Sequence, residues 1–151
     1  MKLRLISIGK RSAGPFEAAT ALYAKRLKHY LSLELVELPA SRKREPGVAM
    51  REEGERILAA LGKARLVALD AEGQSHDSVA FARRLEAWRR EGRDVILVIG
   101  GDEGLSPEVK AAADELLALG PMTLPHRLAK VVLLEQLYRA ATILKGEPYH
   151  K

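Results

Sequence analysis

Five consecutive apolar residues, Val95-Ile96-Leu97-Val98-Ile99, run straight into Gly100-Gly101. A strand with one wet face alternates apolar and polar side chains. A run without alternation fits a strand covered on both faces, as at the centre of a parallel sheet. The rest of the chain carries the pattern such a strand demands. Leu3–Ile8, Leu33–Leu38, Leu66–Asp70 and the weaker Leu116–Leu119 read as further strands. Between them, apolar residues recur every three or four positions. This predicts helices over Pro15–Leu31, Val48–Leu61, a segment capped by Ser78 and closed by Gly92, and a short piece from Ser106-Pro107 to about Asp114. A long helix follows over Leu128–Leu144. Ala40–Pro46 and Ala71–Asp77 read as loops. The repeated β-α order predicts one α/β domain over residues 1–151, with a mainly parallel sheet and helices on both faces.

Composition narrows the chemistry. The chain has no cysteine, which excludes disulfides and thiolate metal sites. His29, His76, His126 and His150 lack metal-ligand spacing, so no metal is expected. No apolar run approaches the ~18 residues of a membrane span, and a cytoplasmic protein is expected. The net charge is +5. Its placement is uneven: residues 1–44 hold ten Lys/Arg against three Glu. Such asymmetry points to a polyanionic partner, with nucleic acid the usual one; a merely basic surface is the competing reading.

The last helix is unusual. Val131, Val132, Leu133, Leu134, Leu137, Tyr138, Ala140, Ala141, Ile143 and Leu144 spread around most of its circumference. A helix apolar nearly all round must be covered nearly all round. A second subunit is the cover expected here, with burial inside the monomer as the alternative.

Ligands of open α/β sheets bind beyond the carboxyl ends of the strands. Three segments converge there: Leu69-Asp70, Gly100–Ser106 and Leu119–Leu124. The glycines permit close backbone approach, and the Ser106-Pro107 helix start turns amide groups to the same edge. Alone, the Gly-Gly pair is also an ordinary tight turn. A dinucleotide fingerprint, a phosphate loop and a hydrolase elbow are all missing from the sequence. His126 stands at the entry to the last helix. Tyr149 and His150 stand in a polar tail, where composition alone favours a frayed end, although an aromatic and an imidazole beside Lys151 would also suit stacking on a base and holding a phosphate.

Taken together, Leu69-Asp70, Ile99-Gly100-Gly101-Asp102-Glu103-Gly104-Leu105-Ser106, Met122-Thr123-Leu124-Pro125-His126, Leu137-Tyr138-Arg139-Ala140 and the terminal Pro148-Tyr149-His150 resemble the RlmH (YbeA-type) family of SPOUT-class RNA methyltransferases. The resemblance covers the whole chain. It implies a SPOUT-type α/β fold with a trefoil knot, a homodimer, and S-adenosyl-L-methionine as methyl donor. The activity implied is methylation of N3 of a pseudouridine of 23S rRNA, position 1915 of helix 69, in the assembled ribosome. By the same resemblance, Leu69, Gly100, Leu119, Gly120, Pro121, Met122, Thr123 and Leu124 would line the donor pocket, and Gly101 and Gly104 would shape it. His126, Tyr149 and His150 would face the target base, the tail being ordered by the partner subunit or by RNA. Lys10, Arg11, Arg42, Lys43, Arg44 and Lys151 would meet rRNA phosphates. Two departures stand out. The chain ends on Lys151 where the family has Arg, and Asp102 stands where the family often has Pro. The competing readings are a non-enzymatic ribosome-binding factor on the same fold and a SPOUT enzyme for another RNA.

Overall fold

Each strand is followed by a helix in the computed structural model, which describes residues 1–9 and 14–151. The elements are β1 (Lys2–Ile8), α1 (Pro15–Leu27), β2 (Ser32–Leu38), α2 (Pro46–Ala59), β3 (Arg65–Ser75), α3 (Ser78–Glu91), β4 (Val95–Ile99), α4 (Pro107–Ala112), β5 (Glu115–Ala118) and α5 (His126–Lys145). The strands form one sheet in the order β2-β1-β4-β3-β5. All neighbouring pairs are parallel.

β4 is the central strand, as its sequence requires, and all five of its residues are buried. Its side chains divide by parity. Val95, Leu97 and Ile99 join Leu3, Leu5, Phe81, Leu85, Trp88, Leu133, Leu134 and Leu137 in a core beneath α1, α3 and α5. Ile96 and Val98 join Ile6, Ile8, Ile57, Leu66 and Val109 in a second core beneath α2 and α4. Each fully buried large aliphatic side chain stabilises the fold by about 1.5–3 kcal/mol relative to exposure. The sheet is thus held from both sides.

Glu115 fastens the amino edge of the sheet. Its carboxylate accepts from Arg65 Nη1 at 3.1 Å, Arg84 Nε at 2.8 Å and Trp88 Nε1 at 2.9 Å. These bonds lie at the starts of β3 and β5, opposite the edge where the cleft opens.

Three local readings change. Asp77, not Ser78, caps α3: its carboxylate accepts from the Ala80 amide at 2.7 Å, while Ser78 Oγ donates to Gln136 at 2.8 Å. The expected loop at 71–77 is largely strand. β3 pairs with β5 through Leu69↔Leu117, bulges over residues 70–73, and rejoins at Gln74↔Leu117 and Ser75↔Ala118. α1 ends at Leu27, where the amides of Tyr30 and Leu31 both turn back onto the Leu27 carbonyl. Within the chain α5 is covered along one long face, while Val131 and Val132 stay only partly buried. Leu133, Leu134, Leu137, Ala140 and Ala141 are at most 2% exposed, and Tyr138, Ile143 and Leu144 pack against the same core.

Candidate functional site

Three adjacent strands end side by side, and their loops enclose a cleft of about 940 Å³. That volume lies near the upper end of the range for small-molecule sites. β3 contributes Leu69, Asp70 and Ala71; β4 contributes Ile99 and the loop Gly100–Gly104; β5 contributes Leu117, Leu119 and Gly120. Met122, Thr123, Leu124, Pro125 and His126 close the rim before α5. Of the residues expected in or around a donor pocket, Leu69, Gly100, Gly101, Gly104, Leu119, Gly120, Met122, Thr123 and Leu124 all line the cleft; Pro121 does not.

The loop after β4 is a fixed structure. The Gly104 amide donates to the Gly101 carbonyl at 3.0 Å, closing a small antiparallel bridge. Gly104 has φ +80°, a conformation that L side chains rarely adopt. Beneath the loop lies Glu53, a buried carboxyl on α2. A β-carbon on Gly101 would stand 3.2 Å from Glu53 Oε1. Burial pushes the Glu53 carboxyl up, against a hydrogen bond from the Ser41 backbone and the nearby Arg56; the negative charges of Asp102 and Glu103 push it further.

Charge is placed at two points of the cleft. Lys110 Nζ on α4 reaches Asp70 at 2.5 Å. That bond holds the Asp70 carboxyl below its usual range, more than offsetting its burial. The second point is His126, the first residue of α5. Its Nδ1 stands 3.2 Å from Oδ1 of Asp102 in the glycine loop.

The tail is not frayed. Tyr149 packs edge-on against Tyr138 with ring centroids 4.6 Å apart, and its hydroxyl donates to Glu135 at 2.9 Å. Arg139 donates to the same carboxylate through Nε and Nη2 and reaches His150 Nδ1 at 3.3 Å through Nη1. Tyr30 donates to Glu147 at 2.6 Å and also stacks on Tyr138. Within one chain, therefore, Tyr149 and His150 do not meet His126. Their anchors Glu135 and Arg139 lie nine and thirteen residues further along α5, about 14–20 Å at 1.5 Å per residue.

The family model described as "Predicted SPOUT methyltransferase" matches residues 1–150. "Ribosomal RNA large subunit methyltransferase H" of Anaeromyxobacter dehalogenans (strain 2CP-C) is 53% identical over 154 aligned residues, covering all of both chains. The protein of the same name from Stenotrophomonas maltophilia (strain R551-3) is 49% identical, covering all of this chain and 99% of the relative. The chain belongs to the RlmH family of SPOUT methyltransferases. Solved structures agree on the fold. A probable methylase family protein from Haemophilus influenzae Rd KW20 matches with TM-score 0.59 and 14% identity, over 99% of this chain and 70% of that one. A probable methyltransferase from Bordetella pertussis Tohama I matches with TM-score 0.56 and 20% identity, over 93% and 96%.

In this RlmH-family chain, sequence reasoning missed Phe16, Met50, Lys110 and Arg127 as cleft residues. Arg127 had a signal, since it follows His126 directly. Phe16 stood in the sequence among the apolar positions of the first helix, and only the structure leaves it 42% exposed beside the cleft. Lys110 and Met50 arrive from α4 and α2 by packing alone. Arg42, Lys43 and Arg44 are exposed on the loop between β2 and α2. Glu53 binds the start of that loop through Ser41, so the basic loop and the glycine loop share one support. Lys151 is exposed. Lys10 and Arg11 lie outside the described residues.

Proposed function

We propose that this chain methylates N3 of a pseudouridine in the large-subunit rRNA of the assembled ribosome, position 1915 of helix 69, using S-adenosyl-L-methionine and acting as a homodimer in the cytoplasm. The observation that carries the reading is the cleft: loops from three adjacent strands enclose it, and nine of the ten residues expected to hold a donor line it. The names of the close relatives support an rRNA substrate.

The residues present fit such a donor. The walls combine apolar side chains, Leu69, Ile99, Leu117 and Leu119, with glycine backbone at 100, 101, 104 and 120. That is a surface for an adenosyl group, recognised by amides and carbonyls more than by side chains. Gly100–Gly104 and Leu119–Leu124 would hold it, with Asp70 and Lys110 at hand for its polar groups. When bound, the donor supplies a methyl already activated on a sulfonium. What remains for the protein is alignment, exclusion of water and management of one proton. The trefoil threading belongs to this reading, and the parallel order β2-β1-β4-β3-β5 is compatible with it.

The homodimer is supported by the position of the tail. Tyr149 and His150 lie far along α5 from their own cleft, so a second copy is the natural source of the pair that meets the target base. The exposed Arg42, Lys43 and Arg44 supply phosphate contacts whose strength falls with salt.

The test is methyl transfer from labelled S-adenosyl-L-methionine to ribosomes lacking the modification, with free rRNA and tRNA in parallel. Label mapped to one pseudouridine of ribosomal rRNA is the expected result. Label in tRNA alone would reassign the substrate. No label in any RNA would leave a ribosome-binding factor as the better reading.

A further inference from the structure

Three side chains are candidates to handle the proton of the target nitrogen, and their hydrogen-bond partners separate them. The separation follows from which partners can only donate and which can only accept.

Tyr149 is committed. Its hydroxyl donates to Glu135 Oε1, a carboxylate that also receives two bonds from Arg139. His150 faces a guanidinium, which has no acceptor. Nδ1 must therefore offer its lone pair to Arg139 Nη1, and the ring proton sits on Nε2. His126 has the opposite partner. A carboxylate only accepts, so of the two ring nitrogens Nδ1, 3.2 Å from Asp102 Oδ1, is the one assigned the hydrogen, which leaves the lone pair on Nε2. Asp102 is 87% exposed, and its side chain has no packing role to confuse with this one.

We propose that Asp102 is a positioning residue that holds His126 in the Nδ1–H tautomer, so that Nε2 takes the proton from the target imide nitrogen, while the second copy's His150 meets the same base as an Nε2–H donor. The proposal rests on the methyltransferase reading above. Its balance is simple. The nitrogen gives its proton to His126 Nε2 and its electron pair to the methyl carbon as the carbon–sulfur pair leaves with sulfur. His126 then releases the proton to water. His150 Nε2–H stabilises charge on a neighbouring carbonyl oxygen of the base and takes no proton. Arg139 acts on the reaction through His150, and Glu135 through Arg139.

The experiment has two arms on the full-length protein. The first is a long-range nitrogen–proton correlation spectrum of histidine-labelled protein at about pH 8.5, two units above the usual imidazole range. Assignment uses His126→Gln and His150→Gln. His126 is expected as Nδ1–H and His150 as Nε2–H. Asp102→Ala should move His126 toward the Nε2–H form that free imidazole prefers, and Asp102→Glu should restore it. The second arm is single-turnover transfer to unmodified ribosomes at saturating donor. His126→Gln should slow it about a hundredfold, and Asp102→Ala about tenfold, with Asp102→Glu recovering most of the loss. His126 found as Nε2–H in the unaltered protein, or His126→Gln transferring at the unaltered rate, would overturn the proposal. Unaltered protein that labels no RNA would instead sink the methyltransferase reading, and the spectrum would still decide the ring assignments on its own.

Discussion

Gly100 lies so close to Gly104 that a β-carbon at position 100 would stand 2.6 Å from the carbonyl carbon of residue 104. The contact is backbone against backbone, so no side-chain rotation relieves it. Glycine at position 100 is thereby required by closure of the loop itself, before any ligand arrives.

This relationship gives the first prediction. Gly100→Ala should open the loop and weaken donor binding by tenfold or more, although one methyl group fills little of the cleft. Among the described residues, Gly104→Ala meets nothing within 4 Å, and its cost is the φ of +80°. It should cost about 1–2 kcal/mol of stability and much less affinity. Calorimetric titration with S-adenosyl-L-methionine, beside circular dichroism, checks both. Wild-type affinity in Gly100→Ala would show that the loop tolerates the displacement.

The tail offers a spectroscopic prediction. Burial, then the hydrogen bond to Glu135, pushes the Tyr149 phenol up to about 12; the bond to Glu147 does the same for Tyr30. Two of the four tyrosines should therefore ionise about two pH units late in an ultraviolet titration. Glu135→Gln should bring one of them part of the way back, because burial remains. The sign for stability follows. Between about pH 10 and 12 the folded state holds protons that the unfolded state has lost, so stability should fall as pH rises through that window. Deleting residues 149–151 should spare donor binding and reduce turnover, and undiminished turnover would remove the tail from the site.

Glu53 makes a third case. Its carboxyl is pushed up mainly by burial, so at neutral pH the ionised form carries a cost in the folded state. Glu53→Gln keeps an acceptor for the Ser41 amide and removes the charge. The variant should be more stable at pH 7. That difference should shrink as pH falls through the raised value and vanish below the ordinary glutamate range, where the native side chain is also neutral. Urea unfolding at pH 7 and pH 3.5 measures it. A variant less stable than the parent at both pH values would contradict the assignment.

The basic loop yields a prediction about salt. Arg42, Lys43 and Arg44 are exposed, so replacing all three with Ala should leave fold and donor affinity unchanged. Ribosome affinity should fall, and the slope of its logarithm against the logarithm of salt should flatten by about 2–3. Filter binding over a salt series reads this directly. An unchanged slope would move the rRNA contact elsewhere on the surface.

Much of the fold was legible because it rests on short-range rules. β4 announced its central place by the missing polar alternation, and the parity of Val95 to Ile99 assigned each side chain to one of two cores. Pro107 and Ser106 marked the start of α4, whose cap bond from the Val109 amide is 3.3 Å long. The glycine loop and the segment at 119–124 were readable as a ligand edge because carboxyl ends of parallel strands expose backbone there. The bulge at 70–73 was hidden, since Gly73-Gln74-Ser75 has turn composition and only the free edge of β5 makes a strand of it.

The sequence by itself determined the β-α alternation, the double-sided core and the family. Tertiary structure alone decided which groups meet. Asp102 reaches His126, Glu53 lies under Gly101, Lys110 crosses to Asp70, and the tail docks on Glu135 and Arg139 rather than at its own cleft. Periodicity and capping are written in windows of a few residues. Pairs separated by tens of residues are fixed by strand order and helix packing, which many sequences with the same local pattern leave open.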